Sequence, residues 1–330
     1  FAVEKIKIIF MRDIIITTRK NRKSKLLLFF IVIIVNIGFS QQNYIPYYQL
    51  KNKAEVAICQ DKYEDALDYY KQAFRLVDFP LRKELNNSLI CALLVGDTAY
   101  IYDTLTLFSG RIGLGHILNK PYMLPYLETK SWQQFAQQAE INKSIEDESI
   151  NKEYIRILDS LDKEDQKPRK WIIVKPIRKR KIAFVDSLNY IAIEQLLAKW
   201  DYPNERNTGY KYIQISPICI WHIADTAFVN YEYQMMIQGK MTPELYVRKC
   251  CYMMGGYNYL ELDDKFSYYA NKEFSSEKLA SVNQNRSAIG YPTTEEAALI
   301  WQKGREKSSS LGFVFDKFLL FDLFLLIHSL

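Results

Sequence analysis

The stretch WHIAD contains the side chains of this sequence best suited to acid–base chemistry. His222 lies three residues before Asp225, among apolar and aromatic residues. On a helix these two positions are neighbours, so the carboxylate can fix the tautomer of the imidazole and raise its basicity. The pair suits a general base or a metal ligand, and it equally suits a structural hydrogen bond between helices. Both interpretations stay open.

Two further carboxylates, Asp165 and Asp186, could complete a hydrolytic site with this pair. The sequence holds no HExxH pattern and no nucleophile elbow, so no motif fixes a third member or a reaction. No metal and no cofactor is predicted. Asp159, Asp162 and Asp165 recur every three residues, a pattern more typical of a solvated acidic helix face than of a cation site.

The element that positions His222 is predicted to be one long helix. Ser216 followed by Pro217 indicates its start, and Gly239 indicates its end. The residues between them are apolar nearly all round, which is typical of a buried central helix. We therefore expect His222 and Asp225 to lie side by side on a continuous helix.

The N-terminal half carries the pattern of helical hairpins. Residues 47–80 have the length of one tetratricopeptide (TPR) unit, and small or aromatic residues fall where two helices would meet. A degenerate second unit extends to Phe108, and a capping helix follows that contains Leu124, Leu127, Trp132 and Phe135. The positions that carry the first hairpin are Ala54, Tyr63, Ala66, Tyr70 and Ala73, of which Tyr63 and Tyr70 are candidate binding residues.

The first 40 residues read as an export leader. They carry eight basic and two acidic residues and so account for the whole net charge of +6. The basic stretch RKNRKSK, the apolar run LLLFFIVIIV and the small-residue end GFS are typical of a secretory signal peptide, with Met11 as the start and cleavage after Ser40. We expect an exported protein of the periplasm or cell envelope, with no stable membrane span after cleavage. The neutral remainder argues against a nucleic-acid partner.

The five cysteines are scattered and odd in number. No CxxC spacing occurs, so neither a disulfide framework nor a metal knuckle is indicated. We expect buried free thiols.

Several short motifs occur in an order that resembles uncharacterised exported Bacteroidetes proteins, in which TPR-like hairpins precede an all-helical domain of unknown function. The motifs are KEDQKPR, VDSLN, the turn from Pro203 to Gly209, WHIAD and NQNRSAIGYP. The resemblance spans most of residues 44–303. It implies that one cleft gathers a set of polar residues, namely Asp165, Gln166, Asp186, Asn189, His222, Asp225 and Arg286. Of these, Gln166, Asn189 and Arg286 are candidate binding residues.

The sequence thus predicts an all-α protein in four parts: a leader (1–40), TPR-like repeats with a capping helix (41–145), a helical domain (146–305) and an apolar tail (306–330). The preferred function is a module whose concave hairpin face binds a protein or peptide in the cell envelope. The alternative is a hydrolase-like enzyme that uses His222 and Asp225 with Asp165 and Asp186. Glycan binding through the abundant tyrosines is a weaker third hypothesis.

Overall fold

The structure is a computed structural model that describes residues 43–170, 175–210, 217–223, 226–253 and 275–315, with only the backbone at 226 and 251–253. Within these ranges the protein is all-α, and no strand occurs. The predicted leader (1–40) lies outside the described residues. None of the described helices is both long and apolar enough to cross a membrane.

The first hairpin consists of α1 (Ile45–Cys59) and α2 (Tyr63–Phe74), which pack directly against each other. Ala54, Ala66, Tyr70 and Ala73 are all fully buried, as the close approach of two helices requires. The predicted helical hairpin is therefore confirmed, whereas its assignment as a TPR-like repeat stays a prediction.

The second unit is less regular than predicted. Helix α3 (Arg82–Val95) ends at Gly96, which takes a left-handed conformation with φ of 77°. The expected second helix is replaced by a π-helical turn (Tyr100–Thr104) and a 3-10 segment (Leu105–Arg111).

A short 3-10 turn (Pro121–Met123) and α4 (Leu124–Leu127) lead to the capping helix α5 (Lys130–Ser149). Trp132 and Phe135 are buried there, but Leu124 is exposed and contributes no capping contact. Helix α5 continues through residue 145, and the chain turns only at residues 150–151.

The central helices are α6 (Lys152–Arg169), α7 (Lys175–Trp200), α8 (Glu205–Thr208), α9 (Ile218–Trp221) and α10 (Thr226–Ile237). Helices α6, α7 and α9 pack against one another. The prediction of one continuous helix from Ser216 to Gly239 is wrong, because α9 ends at Trp221 and His222 forms its C-cap.

A buried lysine caps the end of α9 at this break. The Nζ of Lys249 donates to the carbonyl oxygens of Ile220 and Trp221, at 2.9 and 2.7 Å. In a continuous helix these two carbonyls would accept from the amides four residues later. A long-range side chain therefore takes the acceptors that would have extended the helix.

The C-terminal helices are α11 (Pro243–Met253), α12 (Ser276–Ala288) and α13 (Thr294–Leu311). Thr293 and Glu296 form a capping box at the start of α13, which packs against α1. Beyond α13, Phe313 is buried, and Val314 exchanges two hydrogen bonds with Asn87. Residues 306–315 thus belong to the packed structure, and residues 316–330 of the predicted tail lie outside the described residues.

One face of α1 is covered by later parts of the chain. The hydroxyl of Tyr48 donates to the carbonyl of Met241 (3.0 Å), and the Nζ of Lys51 donates to Glu244 (2.6 Å). Both partners of this ion pair are buried, and Glu55 and Lys83 form a second buried pair at 2.8 Å beside it. This face of the hairpin is therefore not available to a partner.

The cysteines Cys59, Cys91, Cys219 and Cys250 are buried and free. Burial raises the pKa of the Cys59 and Cys250 thiols to about 12, so these thiols stay protonated and unreactive at neutral pH.

Candidate functional site

A buried carboxylate lies at the centre of the contact between α6, α7 and α9. Asp165 of α6 is fully buried, and the Nδ1 of His222 lies 3.0 Å from its carboxylate. The Nε2 of Gln166 donates to Oδ2 of the same carboxylate at 2.8 Å. The imidazole is partly buried, so it joins an interior carboxylate to the protein surface.

Arg169 connects this carboxylate to a second one. Its Nη1 lies 3.2 Å from Asp165, four residues earlier on α6, and its Nη2 lies 2.8 Å from Asp186 on α7. Asp186 is half-buried, and Arg169 is mostly buried. Three separate elements therefore supply one hydrogen-bonded cluster, which we call the Asp165 cluster: Asp165, Gln166, Arg169, Asp186 and His222.

The electrostatics of the cluster keep Asp165 ionised. Burial by itself would raise the pKa of Asp165, but the hydrogen bonds from His222 and Gln166 and the charge of Arg169 outweigh it and lower this pKa below its ordinary value. An ionised carboxylate can only accept hydrogen bonds, so the His222 Nδ1 must carry the proton between them.

Local contacts hold the short helix α9 in position for this bond. The backbone N–H of Cys219, in its first turn, donates to the carboxylate of Asp162 on α6 at 2.9 Å. Asp162 lies three residues before Asp165, so both carboxylates face α9 from the same side of α6. Asp162 binds the first turn of α9, and Asp165 binds His222 at the end of α9.

Asn189 adds an unused donor beside the cluster. It follows Asp186 by three residues on α7, and it is buried. Its Nδ2 has no hydrogen-bond partner among the described residues. Buried amide donors are ordinarily satisfied, so this sealed donor is an exception among the described residues.

The cluster could also hold a metal ion. Asp165, Asp186 and His222 each offer one ligand atom, and these atoms all lie within 4.8 Å of one another. Two carboxylates and one imidazole form a ligand set suited to zinc. However, Arg169 already pairs with both carboxylates, so a cation would have to displace its guanidinium.

The remaining predicted site residues lie elsewhere or outside the described residues. Asp225 lies outside them, and the described carboxylate partner of His222 is Asp165. The Nε of Arg286 donates to the carbonyl of Pro292, and its guanidinium lies over the ring of Tyr291, in the turn between α12 and α13.

The two tyrosines of the first hairpin have packing roles. Tyr63 stacks on Phe313 with ring centroids 6.0 Å apart, and its hydroxyl donates to Asp61. Tyr70 is fully buried and presents no surface to a partner.

Sequence reasoning missed Arg169, although its spacing was a signal. It also placed Asp162 and Asp165 on a solvated acidic face, whereas Asp165 is fully buried and Asp162 binds the N–H of Cys219. Arg169 follows Asp165 by four residues, the spacing at which opposite charges meet on a helix. Asp162 precedes Asp165 by three residues, which places the two carboxylates on one side of the helix. The break after Trp221 had no comparable signal, because the lysine that caps it lies 28 residues later in the chain.

Comparison of the chain with protein-family models, curated proteins and solved structures finds no match. The resemblance to exported Bacteroidetes proteins therefore stays a prediction.

Proposed function

We propose that the protein is a hydrolytic enzyme in which His222 acts as the general base. The observation that carries the proposal is the hydrogen bond between His222 and the buried, ionised Asp165, within a cluster to which three helical elements contribute. A carboxylate that fixes the imidazole tautomer and stabilises the imidazolium is an arrangement that supports general-base catalysis.

The proposed reaction uses water as the nucleophile. With Nδ1 bound to Asp165, Nε2 is the ring nitrogen that takes a proton as the water oxygen attacks the substrate. The imidazolium then returns this proton to the leaving group. Arg169 positions the two carboxylates, and substrate binding must uncover the buried Nδ2 of Asn189 before it can donate to a substrate oxygen.

Hydrolysis of four chromogenic substrates, an ester, a phosphate ester, a glycoside and an anilide, tests this proposal. We expect cleavage of at least one class, with kcat lowered about 100-fold or more by His222→Gln and by Asp165→Asn. Glu164→Gln, the exposed neighbour of Asp165, is the matched control and should cleave like the wild type. Circular dichroism verifies that each variant is folded. Failure to cleave any class, or an unchanged rate in His222→Gln, would count against the enzyme.

A groove beside the hairpins supports a second candidate function, the binding of a protein or peptide. An open groove of about 530 Å³ lies between α2 and residues 97–108. Its lining includes Phe74, Tyr100 and Phe108 with charged groups of both signs, and Leu107 at its edge is 77% exposed. Such a surface suits a peptide with apolar anchors.

Selection from a random peptide library tests this second candidate. We expect enriched peptides that bind the Leu107→Asp variant at least tenfold more weakly than they bind the wild type. Leu118→Asp changes another exposed leucine outside the groove and should bind as the wild type does. Peptides that bind both variants equally would place recognition elsewhere.

A further inference from the structure

Helix α7 has two apolar faces, and only one of them is packed. Its packed face contains Asn189, Ile193 and Leu196. A second set of large apolar side chains is exposed to solvent: Ile177 (52%), Phe184 (64%), Leu188 (52%) and Ile191 (53%).

These four residues form a single stripe, which we call the α7 stripe. They recur at intervals of seven, four and three residues, so at 100° per residue they fall within about 60° of one another. The stripe is about 21 Å long, and it lies more than about 100° from the packed face. Four exposed apolar residues aligned on one helix are typical of an interaction surface rather than of isolated surface residues.

On α7 itself, the charges beside the stripe are all of one sign. Arg180, Lys181 and Lys199 lie within about 60° of its axis, whereas the two acidic residues of the helix, Asp186 and Glu194, lie about 90° or more away. Three more basic residues, Lys175, Arg178 and Lys179, lie in the first turns, but more than about 100° from the stripe. The surface therefore combines apolar side chains with positive charge.

We infer that the α7 stripe docks on a membrane surface that contains anionic phospholipid. Helices that lie in a bilayer interface combine an apolar face with flanking Lys and Arg, and anionic headgroups attract such basic groups. A second copy of the chain is a poorer occupant, because pairing two stripes would bring like charges together. This docking is independent of the proposed hydrolysis, since no residue of the stripe belongs to the Asp165 cluster.

Vesicle partitioning of the full chain tests the inference. Vesicles of phosphatidylcholine with about 30% phosphatidylglycerol are compared with vesicles of phosphatidylcholine alone, at low and high salt. We expect binding to the anionic vesicles that weakens with salt, and at least tenfold weaker binding to neutral ones. Residues 1–42 contain an apolar run of their own, so the decisive comparison is between variants that all share that segment.

Two pairs of variants assign the binding to the stripe. The double variant Phe184→Ser, Leu188→Ser should bind anionic vesicles about tenfold or more weakly, whereas Leu124→Ser, at an exposed leucine on α4, should not. Arg180→Gln with Lys181→Gln should weaken binding similarly, and the exposed pair Lys303→Gln with Arg305→Gln should have little effect.

Two outcomes would contradict docking of the α7 stripe on a membrane. Equal partitioning of the wild type and the Phe184, Leu188 double variant would overturn the inference. So would a dimer, detected by sedimentation, that this double variant abolishes while neither protein binds vesicles, because a second copy would then cover the stripe.

Discussion

Asp165 combines full burial with a negative charge, and this combination defines what His222 can do. A neutral carboxylic acid at this position could donate to the imidazole and select the opposite tautomer. Because the hydrogen bonds from His222 and Gln166 and the nearby guanidinium hold the group ionised, Nδ1 carries the proton, and Nε2 is the unprotonated nitrogen of the neutral imidazole.

Replacement of Asn189, whose amide donor has no partner among the described residues, distinguishes a functional role of this side chain from a structural one. Replacing Asn189 with the similarly sized Leu removes a buried amide that lacks a partner, so the free energy of unfolding should stay equal or rise by about 1 kcal/mol. If Nδ2 serves a substrate oxygen, kcat/KM should fall by about tenfold or more.

Urea unfolding and steady-state kinetics measure these two effects of Asn189→Leu. The contrast is Asn142→Leu, which removes an amide that does donate, to Ser109 at 2.9 Å, and should cost about 1–3 kcal/mol. An Asn189→Leu variant as destabilised as Asn142→Leu would show that the amide is structural.

Arg169 occupies the position that a cation would take between Asp165 and Asp186. Replacement by Ser should leave both carboxylates and the imidazole open to a metal ion, since their ligand atoms already lie within 4.8 Å of one another. We expect Arg169→Ser to bind Zn²⁺ at least tenfold more tightly than the wild type in calorimetric titration. Arg156→Ser removes an exposed arginine from the same helix and should leave the affinity unchanged. Equal affinities in the two variants would mean that the three ligand atoms do not act together.

At the scale of elements, the sequence predicts helices well where local signals suffice. The first hairpin follows from small residues at helix contacts, and α13 follows from the capping residues Thr293 and Glu296. The break at His222 could not be predicted, because Ser216 to Gly239 has the propensity and the apolar pattern of one helix. Its cause is tertiary: Asp162 binds the N–H of Cys219, and Lys249 takes two carbonyls.

Lys249 should therefore be essential to the placement of His222. Replacing it with Met leaves the carbonyls of Ile220 and Trp221 without this donor, and we expect a loss of about 2–4 kcal/mol in unfolding free energy. The same change should lower hydrolysis, because the end of α9 then loses its cap and His222 is held less firmly against Asp165.

Lys240→Met is the matched control, since this lysine pairs with Asp201 at the surface and should contribute less than about 1 kcal/mol. Denaturant titration gives both values, and the NMR signal of the His222 ring reports whether its bond to Asp165 survives. A Lys249→Met protein with unchanged stability and an unchanged ring signal would show that the break has another cause.

At the scale of the whole molecule, the contacts that cover the hairpin could not be predicted from the sequence. Periodicity predicts which residues of α1 and α2 meet, because those contacts are local. It does not predict that Lys51 pairs with Glu244, which lies 193 residues away. This long-range packing covers the face of α1 that was predicted to be open to a partner. The groove beside Leu107 is therefore the candidate partner surface.

Glu205 is another such long-range contact, and it should make stability depend on pH. Its carboxylate lies at the start of α3, where it accepts the backbone N–H of Arg82 at 2.9 and 3.2 Å. Burial raises the pKa of Glu205 from its ordinary value of 4.5 to about 8, and the charge of Arg111 opposes this only in part. Between these two pH values the folded protein keeps a proton that the unfolded chain releases.

The contribution of Glu205 to stability is therefore fully present below about pH 4.5 and is lost as the pH rises to about 8. Glu205→Gln stays neutral in both states, so its stability should fall less steeply over this range, and its advantage over the wild type should grow with pH. Urea unfolding at several pH values from 5 to about 9 measures the two slopes, and Glu153→Gln, at an exposed site on α6, should keep the wild-type slope. Parallel curves for wild type and Glu205→Gln would mean that Glu205 is ionised throughout, held by the first amides of α3 and by Arg111 rather than neutralised by burial.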